Sequence, residues 1–170
     1  PGCVFIAVDY SQIELRVMAA LAHCRGLLDI FQSGRDIHDE VARRIFHIPV
    51  GEKVPKKIRT RAKNFEYGTS YGGGAETIWL VMLEQDRTIT KQAVMDMQAG
   101  YAAAFPELVD FRNRVYQEVM DRGCYETPLT GRRRLFFTTS KKEEIYDAPQ
   151  QMCAADVVNT GFAAENRRRQ

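Results

Sequence analysis

The chain has 170 residues, 45% hydrophobic and 27% charged, a size and balance that suit one ordinary globular domain. No apolar run approaches the ~18 residues a membrane-crossing helix needs, and the opening Pro1–Asp9 lacks a basic n-region and a signal-cleavage pattern. An intracellular protein with no membrane partner is therefore expected, and the net charge of +2 does not by itself single out a nucleic-acid partner.

Val4–Val8 is a short apolar run with β-branched residues and reads as a buried strand ended by Asp9-Tyr10. Ser11-Gln12-Ile13-Glu14 matches the S-x-x-E capping box, so a helix is expected to start there. Its apolar face would use Ile13, Val17, Met18 and Leu21, and Cys24-Arg25-Gly26 would close it. A second helix begins near Asp36 and carries Val41, Ala42, Ile45 and Phe46. Pro49, Gly51 and Pro55 mark a loop. A third helix runs from about Lys56 to Tyr71, where Gly72-Gly73-Gly74 stops it. Ala75–Leu83, Lys91–Ala104 and about Glu107–Arg122 read as further helices, the last with Pro106 at its start. Tyr125–Phe137 reads as extended with a turn at Thr130-Gly131, and Ala148–Asn166 as a helix with Pro149 in its first turn. The fold class is α+β and mostly helical, the central helices reading as an insertion into an α+β module.

The cysteines, Cys3, Cys24, Cys124 and Cys153, lack the C-x-x-C spacing of a zinc or redox site and are too few for a disulfide framework. Free thiols are expected. Charge is unevenly spread. Lys53, Lys56, Lys57, Arg59, Arg61 and Lys63 lie close together with Glu52 as the one acid among them; Arg132–Arg134 and Arg167–Arg169 form two more clusters. Such clusters are either phosphate-contact surfaces or solvated faces.

Asp9 stands at the end of the expected strand, before a helix. There a carboxylate either helps to cap the helix or, with the Tyr10 carbonyl, holds a hard cation such as Mg²⁺. Glu14 is equally well explained as the capping-box partner of Ser11. Arg59, Lys63, Tyr67 and Tyr71 are four apart, which puts two cations and then two aromatic rings along one stripe of the third helix. That stripe suits a nucleotide read phosphate end first, or an amphipathic surface helix. His38, among Asp36, Asp39 and Glu40, suits a metal site or a solvated capping cluster. Gly72-Gly73-Gly74 has no following Gly-Lys-Ser/Thr and reads as a helix stop and hinge.

In one register, Asp9-Tyr-Ser-Gln-Ile-Glu-Leu-Arg16 is identical to the first palm signature of the bacterial DNA polymerase I type, family A. The helix of Arg59, Lys63, Tyr67, Tyr71 and Gly72 resembles that family's R-x3-K-x3-[FY]-x3-Y-G fingers helix. Gly34–His38, Tyr101–Pro106, Thr130–Arg134 and Pro149–Asp156 are similar to further family stretches, so the resemblance covers nearly the whole chain. It implies a right-hand polymerase fold with palm segment 1–25, helical fingers 26–124 and a return to the palm at 125–170.

The resemblance also implies template-directed DNA synthesis from dNTPs on a primer-template. Asp9 and Lys63 would be catalytic, and Asp9 with Tyr10 would hold two Mg²⁺ ions. Lys63 and Arg59 would grip the triphosphate, His38 would reach its outer phosphates, and Gln12 would lie beside the nucleotide. Tyr67 would flank the incoming sugar and base. It stands where many bacterial members have Phe, which implies easier acceptance of 3′-deoxy sugars; Asn64 and Glu66 are also unusual choices for the family. Glu14 would exclude a 2′-hydroxyl. Tyr71 and Gly72 would occupy the template-base position, with Arg133 and Gln151 along the DNA. The family also needs a carboxylate from a downstream His-Asp-Glu turn that does not occur before Gln170, together with a thumb and the rest of the palm; the chain is expected to be a piece that cannot polymerise alone. Two alternatives stand beside this reading. One is a single-subunit RNA polymerase, against which Glu14 argues; the other is a noncatalytic nucleotide- or DNA-binding module.

Overall fold

The computed structural model describes residues 9–168, so the strand expected at Val4–Val8 lies outside the described residues. Helix α1 spans Ile13–Leu21. It does not use the expected capping box: Gln12, in the left-handed region at φ 54°, precedes the helix and no side chain caps it. Ser11 stands before that turn, where its carbonyl accepts from Arg16 Nε at 3.0 Å. Leu15, Met18 and Ala19 are the buried residues, while Ile13, Val17 and Leu21 are only half-buried. The expected face is thus displaced because later helices pack on α1 from more than one side.

A helix the sequence reading missed follows directly. Left-handed His23 (φ 52°) turns the chain, and α2, Arg25–Gln32, starts after Cys24. Arg25-Gly26 therefore opens a helix instead of closing one. Gly26 is there for closeness: a Cβ on it would lie 3.3 Å from the Phe105 ring. Leu27 and Ile30 are buried beside it.

Five central helices match expectation because their boundary signals are local. Helix α3, Ile37–Phe46, starts where the Asp36 carboxylate accepts from the Asp39 amide at 3.0 Å. Helix α4 is Lys56–Ser70, α5 Ala75–Leu83, and α6 Lys91–Ala104, capped by Thr90. Helix α7, Pro106–Arg122, has proline in its first turn and ends at left-handed Gly123. The extended stretch condenses to two three-residue strands, β1 Cys124–Glu126 and β2 Arg133–Leu135, paired antiparallel with Tyr125 opposite Arg134.

Helix α8 corrects the reading again. It runs Lys142–Arg168, so Pro149 lies inside it. Proline leaves the Ile145 carbonyl without its helical donor, yet the turns before it persist because they pack on α4's exit: a Cβ on Gly72 would lie 3.1 Å from the Tyr146 Cβ and 3.2 Å from the Glu143 Cα. Gly72 also has φ 75°, so glycine is required there twice over.

The main core joins α1–α7 and the start of α8. Its centre is aromatic: the Phe65 and Tyr101 rings are 5.6 Å apart and those of Tyr101 and Phe105 5.0 Å. Phe65 and Phe105 are fully buried. Phe105→Ala is expected to cost about 3–5 kcal/mol, as for other buried Phe truncations. Urea unfolding would show it as a lower midpoint with unchanged slope. Cys24, Cys124 and Cys153 are free, as expected. No helix among the described residues is long and apolar enough to cross a membrane.

Candidate functional site

Helix α4 and the entry to α1 meet in a cleft of about 240 Å³ whose walls carry Asp9, Tyr10, Gln12, Glu14, Tyr67 and Tyr71. Residues from the chain's start are thus brought against residues far along it. The left-handed Gln12 makes the corner that leads from Asp9 into α1; a non-glycine residue in that region costs about 1 kcal/mol, and such strain tends to persist where geometry matters. Tyr10 is braced from behind, since a Cβ on Gly161 of α8 would lie 3.0 Å from its hydroxyl.

The stripe along α4 forms as its spacing predicts. Arg59 lies nearest the helix start, bonded to Asp36 at 2.6 Å and Asp39 at 3.0 Å. Lys63 is exposed, makes no ion pair among the described residues, and holds Nζ 5.9 Å above the Tyr67 ring. Tyr67 and Tyr71 are both 43% exposed and border the cleft. The Tyr71 phenol titrates above its ordinary value, first because it is partly buried and then because the Glu14 carboxylate faces it. Glu14 and Tyr71 therefore meet in the wall of the cleft.

The end of α4 is clamped by two residues the sequence reading did not select. Arg112 of α7 donates to the Thr69 carbonyl at 2.6 Å, and Gln150 of α8 donates to the Ser70 carbonyl at 2.6 Å. Both lie in the last turn of α4, where carbonyls lack the helical i+4 donor, and the Thr69 carbonyl also accepts from the Gly72 amide at 3.0 Å. Gln150 is fully buried and its neighbour Gln151 exposed; no local pattern distinguishes two adjacent glutamines, so only packing marks Gln150.

Other selected residues lie elsewhere. Gln151 is on the exposed side of α8, and Arg133 is exposed on β2 with Nε 2.6 Å from Glu126. His38 does not face solvent: it is 4% exposed, and its Nδ1 lies 2.5 Å from a Glu66 carboxylate oxygen. Its ring centroid is 6.2 Å from that of Tyr67, so it backs the stripe from behind. The basic run 53–63 is also less positive in space than along the chain. Asp36 and Asp39 pair with Arg59, and Asp86 pairs with Lys57 and Arg61, leaving Lys53, Lys56 and Lys63 without an ion pair among the described residues.

The cation chemistry is partial. Asp9 is an exposed carboxylate at the cleft, and with the Tyr10 carbonyl it offers the hard oxygen donors Mg²⁺ prefers. Among the described residues no three His, Cys, Asp or Glu side chains gather as a metal-holding group. Mg²⁺ habitually keeps waters and takes phosphate oxygens, so one carboxylate fits as a share of such a donor set.

The model of the family described as DNA polymerase family A matches residues 1–166. DNA polymerase I of Geobacillus stearothermophilus is 33% identical over 166 residues, covering 93% of this chain and 18% of that protein. The thermostable DNA polymerase I of Thermus aquaticus is 38% identical over 133 residues, covering 78% of this chain and 15% of that protein. The chain thus spans less than a fifth of the length of these curated relatives. A solved structure, the POL domain of Pol1 from M. smegmatis in complex with DNA primer-template and dNTP, superposes with a TM-score of 0.74 at 31% identity. It covers 88% of this chain and 27% of that one.

Proposed function

The chain belongs to DNA polymerase family A, and on that premise we propose that it forms the fingers and adjoining palm of a polypeptide that copies a DNA template from dNTPs. In this reading 1–25 and 125–170 are palm segments and 26–124 the fingers; a thumb, the remaining palm and a second catalytic carboxylate belong to the complete polypeptide. The observation that carries the reading is the α4 stripe: cations followed by aromatic rings, ending in a cleft that also holds Asp9 and Glu14.

Asp9 and the Tyr10 carbonyl would hold Mg²⁺, which when bound favours the deprotonated primer 3′-hydroxyl and neutralises charge on the departing pyrophosphate. The 3′-oxygen attacks the α-phosphorus, and the bond to the β,γ-pyrophosphate breaks. Lys63 meets the triphosphate as an unpaired point charge placed before charge develops. Arg59 would add its guanidinium by exchanging part of its contact with Asp36 and Asp39 for phosphate oxygens. His38 reaches the outer phosphates only when binding uncovers its ring. Tyr67 flanks sugar and base, with Gln12 on the facing wall. Tyr71 and Gly72 sit at the template base, held by the Arg112 and Gln150 clamp on the turn before them. Arg133 and Gln151, both exposed, lie along the DNA.

Glu14, which lines the cleft with Tyr71, would reject a 2′-hydroxyl by occupying its space. Glu14→Ala is expected to raise the rNTP/dNTP ratio of kcat/KM at least about tenfold, the lower end of what one excluded group is worth; an unaltered ratio would place the filter elsewhere.

Primer extension by the complete polypeptide with Mg²⁺, comparing dNTPs and rNTPs, tests the function. Extension with dNTPs supports it. Preference for rNTPs would make the protein an RNA polymerase, and no extension by a folded, complete polypeptide would make it a noncatalytic binding module.

A further inference from the structure

Two buried ionisable side chains, His38 and Glu66, are not explained by the cleft. Glu66 is 1% exposed and sits on α4 directly before Tyr67; its Oε2 takes His38 Nδ1 at 2.5 Å, and its Oε1 has no partner. Burial raises the pKa of this carboxyl and His38 opposes the rise. Asp36, which caps α3, and Arg59 of α4 are the other ionisable groups that act on it, and Glu66 in turn raises the pKa of Tyr101 of α6. A buried ion pair seldom adds stability over apolar packing of the same volume, so stability alone is a weak reason for it here.

We infer that Glu66 is a positioning residue for the incoming nucleotide, acting through His38. The inference rests on reading the α4 stripe as the triphosphate site. With Nδ1 held by Glu66, Nε2 is the one ring nitrogen left for a phosphate oxygen. A phosphate needs a donor, and both nitrogens donate only in the imidazolium. In that form the Glu66 carboxylate supplies the counter-charge in a space closed to water, as carboxylates do behind histidines that act on a third group. The pair fixes the ring beside Tyr67, with centroids 6.2 Å apart, and Lys63 Nζ lies 5.9 Å from the same Tyr67 ring. Two cationic groups then neighbour one aromatic platform, and both would touch the same polyphosphate. Glu66 itself touches no substrate.

The test is single-nucleotide incorporation by the complete polypeptide, with KM and kcat for dNTP measured for E66Q, H38Q, the E66Q/H38Q double variant and K63A. E66Q is expected to raise KM about tenfold, the loss of one charge-assisted contact, with kcat within about threefold. H38Q should do the same, and the double variant should be no worse than the larger single effect, because the two residues act as one unit. An unchanged KM in E66Q overturns the inference. Losses that add in the double variant overturn it too, and leave Glu66 a packing residue. Should E66Q alone fail to fold, the double variant, which buries no unpaired charge, is compared with H38Q: equal KM values support the inference and a further loss overturns it. K63A separates the two readings. If K63A leaves KM unchanged, the triphosphate site is not on α4 and the inference falls with it; if K63A raises KM and E66Q does not, this inference alone fails.

Discussion

Replacing Asp9 by alanine in the complete polypeptide is expected to lower primer extension by on the order of 10³-fold, about 4 kcal/mol of transition-state stabilisation, the scale on which metal-ion charge neutralisation operates. Asp9 is exposed in the wall of the cleft, and neither an ion pair nor a core contact depends on it among the described residues. Its removal should therefore leave the thermal midpoint nearly unchanged, as for surface substitutions within about 0.5 kcal/mol. Loss of extension with an intact melting curve would tie the effect to cation binding, and raising Mg²⁺ should restore only part of it. Extension that survives in Asp9→Ala would remove Asp9 from the chemistry and undo the proposed metal role.

Lys63→Ala is expected to cost at least about 2 kcal/mol in kcat/KM for dNTP, roughly thirtyfold, the value of a charge-assisted phosphate contact. The structure gives a reason to expect more from Lys63 than from Arg59. Arg59 already spends its guanidinium on Asp36 and Asp39, and part of any gain on phosphate is offset by what it gives up there. Lys63 has no such partner among the described residues and lies over the Tyr67 ring. Lys63→Arg should rescue poorly, because a planar fork cannot replace a compact point charge at the same site. Steady-state incorporation kinetics on one primer-template measure both, and an unchanged kcat/KM for Lys63→Ala would take the triphosphate off α4.

The helices of the centre were legible because their signals are local. Asp36 caps α3 from within its own turn, Pro106 fits the first turn of α7, and the glycines after Tyr71 end α4 through backbone freedom that depends only on residue type. The stripe of Arg59, Lys63, Tyr67 and Tyr71 was legible for the same reason: helical spacing alone puts four residues on one face. The family resemblance carried by Asp9–Arg16 and by that stripe was legible as well, and the family match bears it out.

Where a local signal competed with packing, packing won. Gly26 and Pro149 read as helix boundaries, yet α2 runs through the first to bring its backbone onto Phe105, and α8 runs through the second to cover Gly72. Ser11 read as a cap, but the left-handed turn at Gln12 moved the helix start past it.

The sequence by itself determined which residues share one face of α4, and so the order of charge and aromatic ring along it. Only the tertiary structure decided which of those charges stay available. Asp36, Asp39 and Asp86 are distant in sequence from the basic run they neutralise, and Glu66 is separated from His38 by most of α3, a loop and most of α4. Helical periodicity acts over three or four residues, whereas ion pairing and burial depend on distances through space that only the packed fold sets.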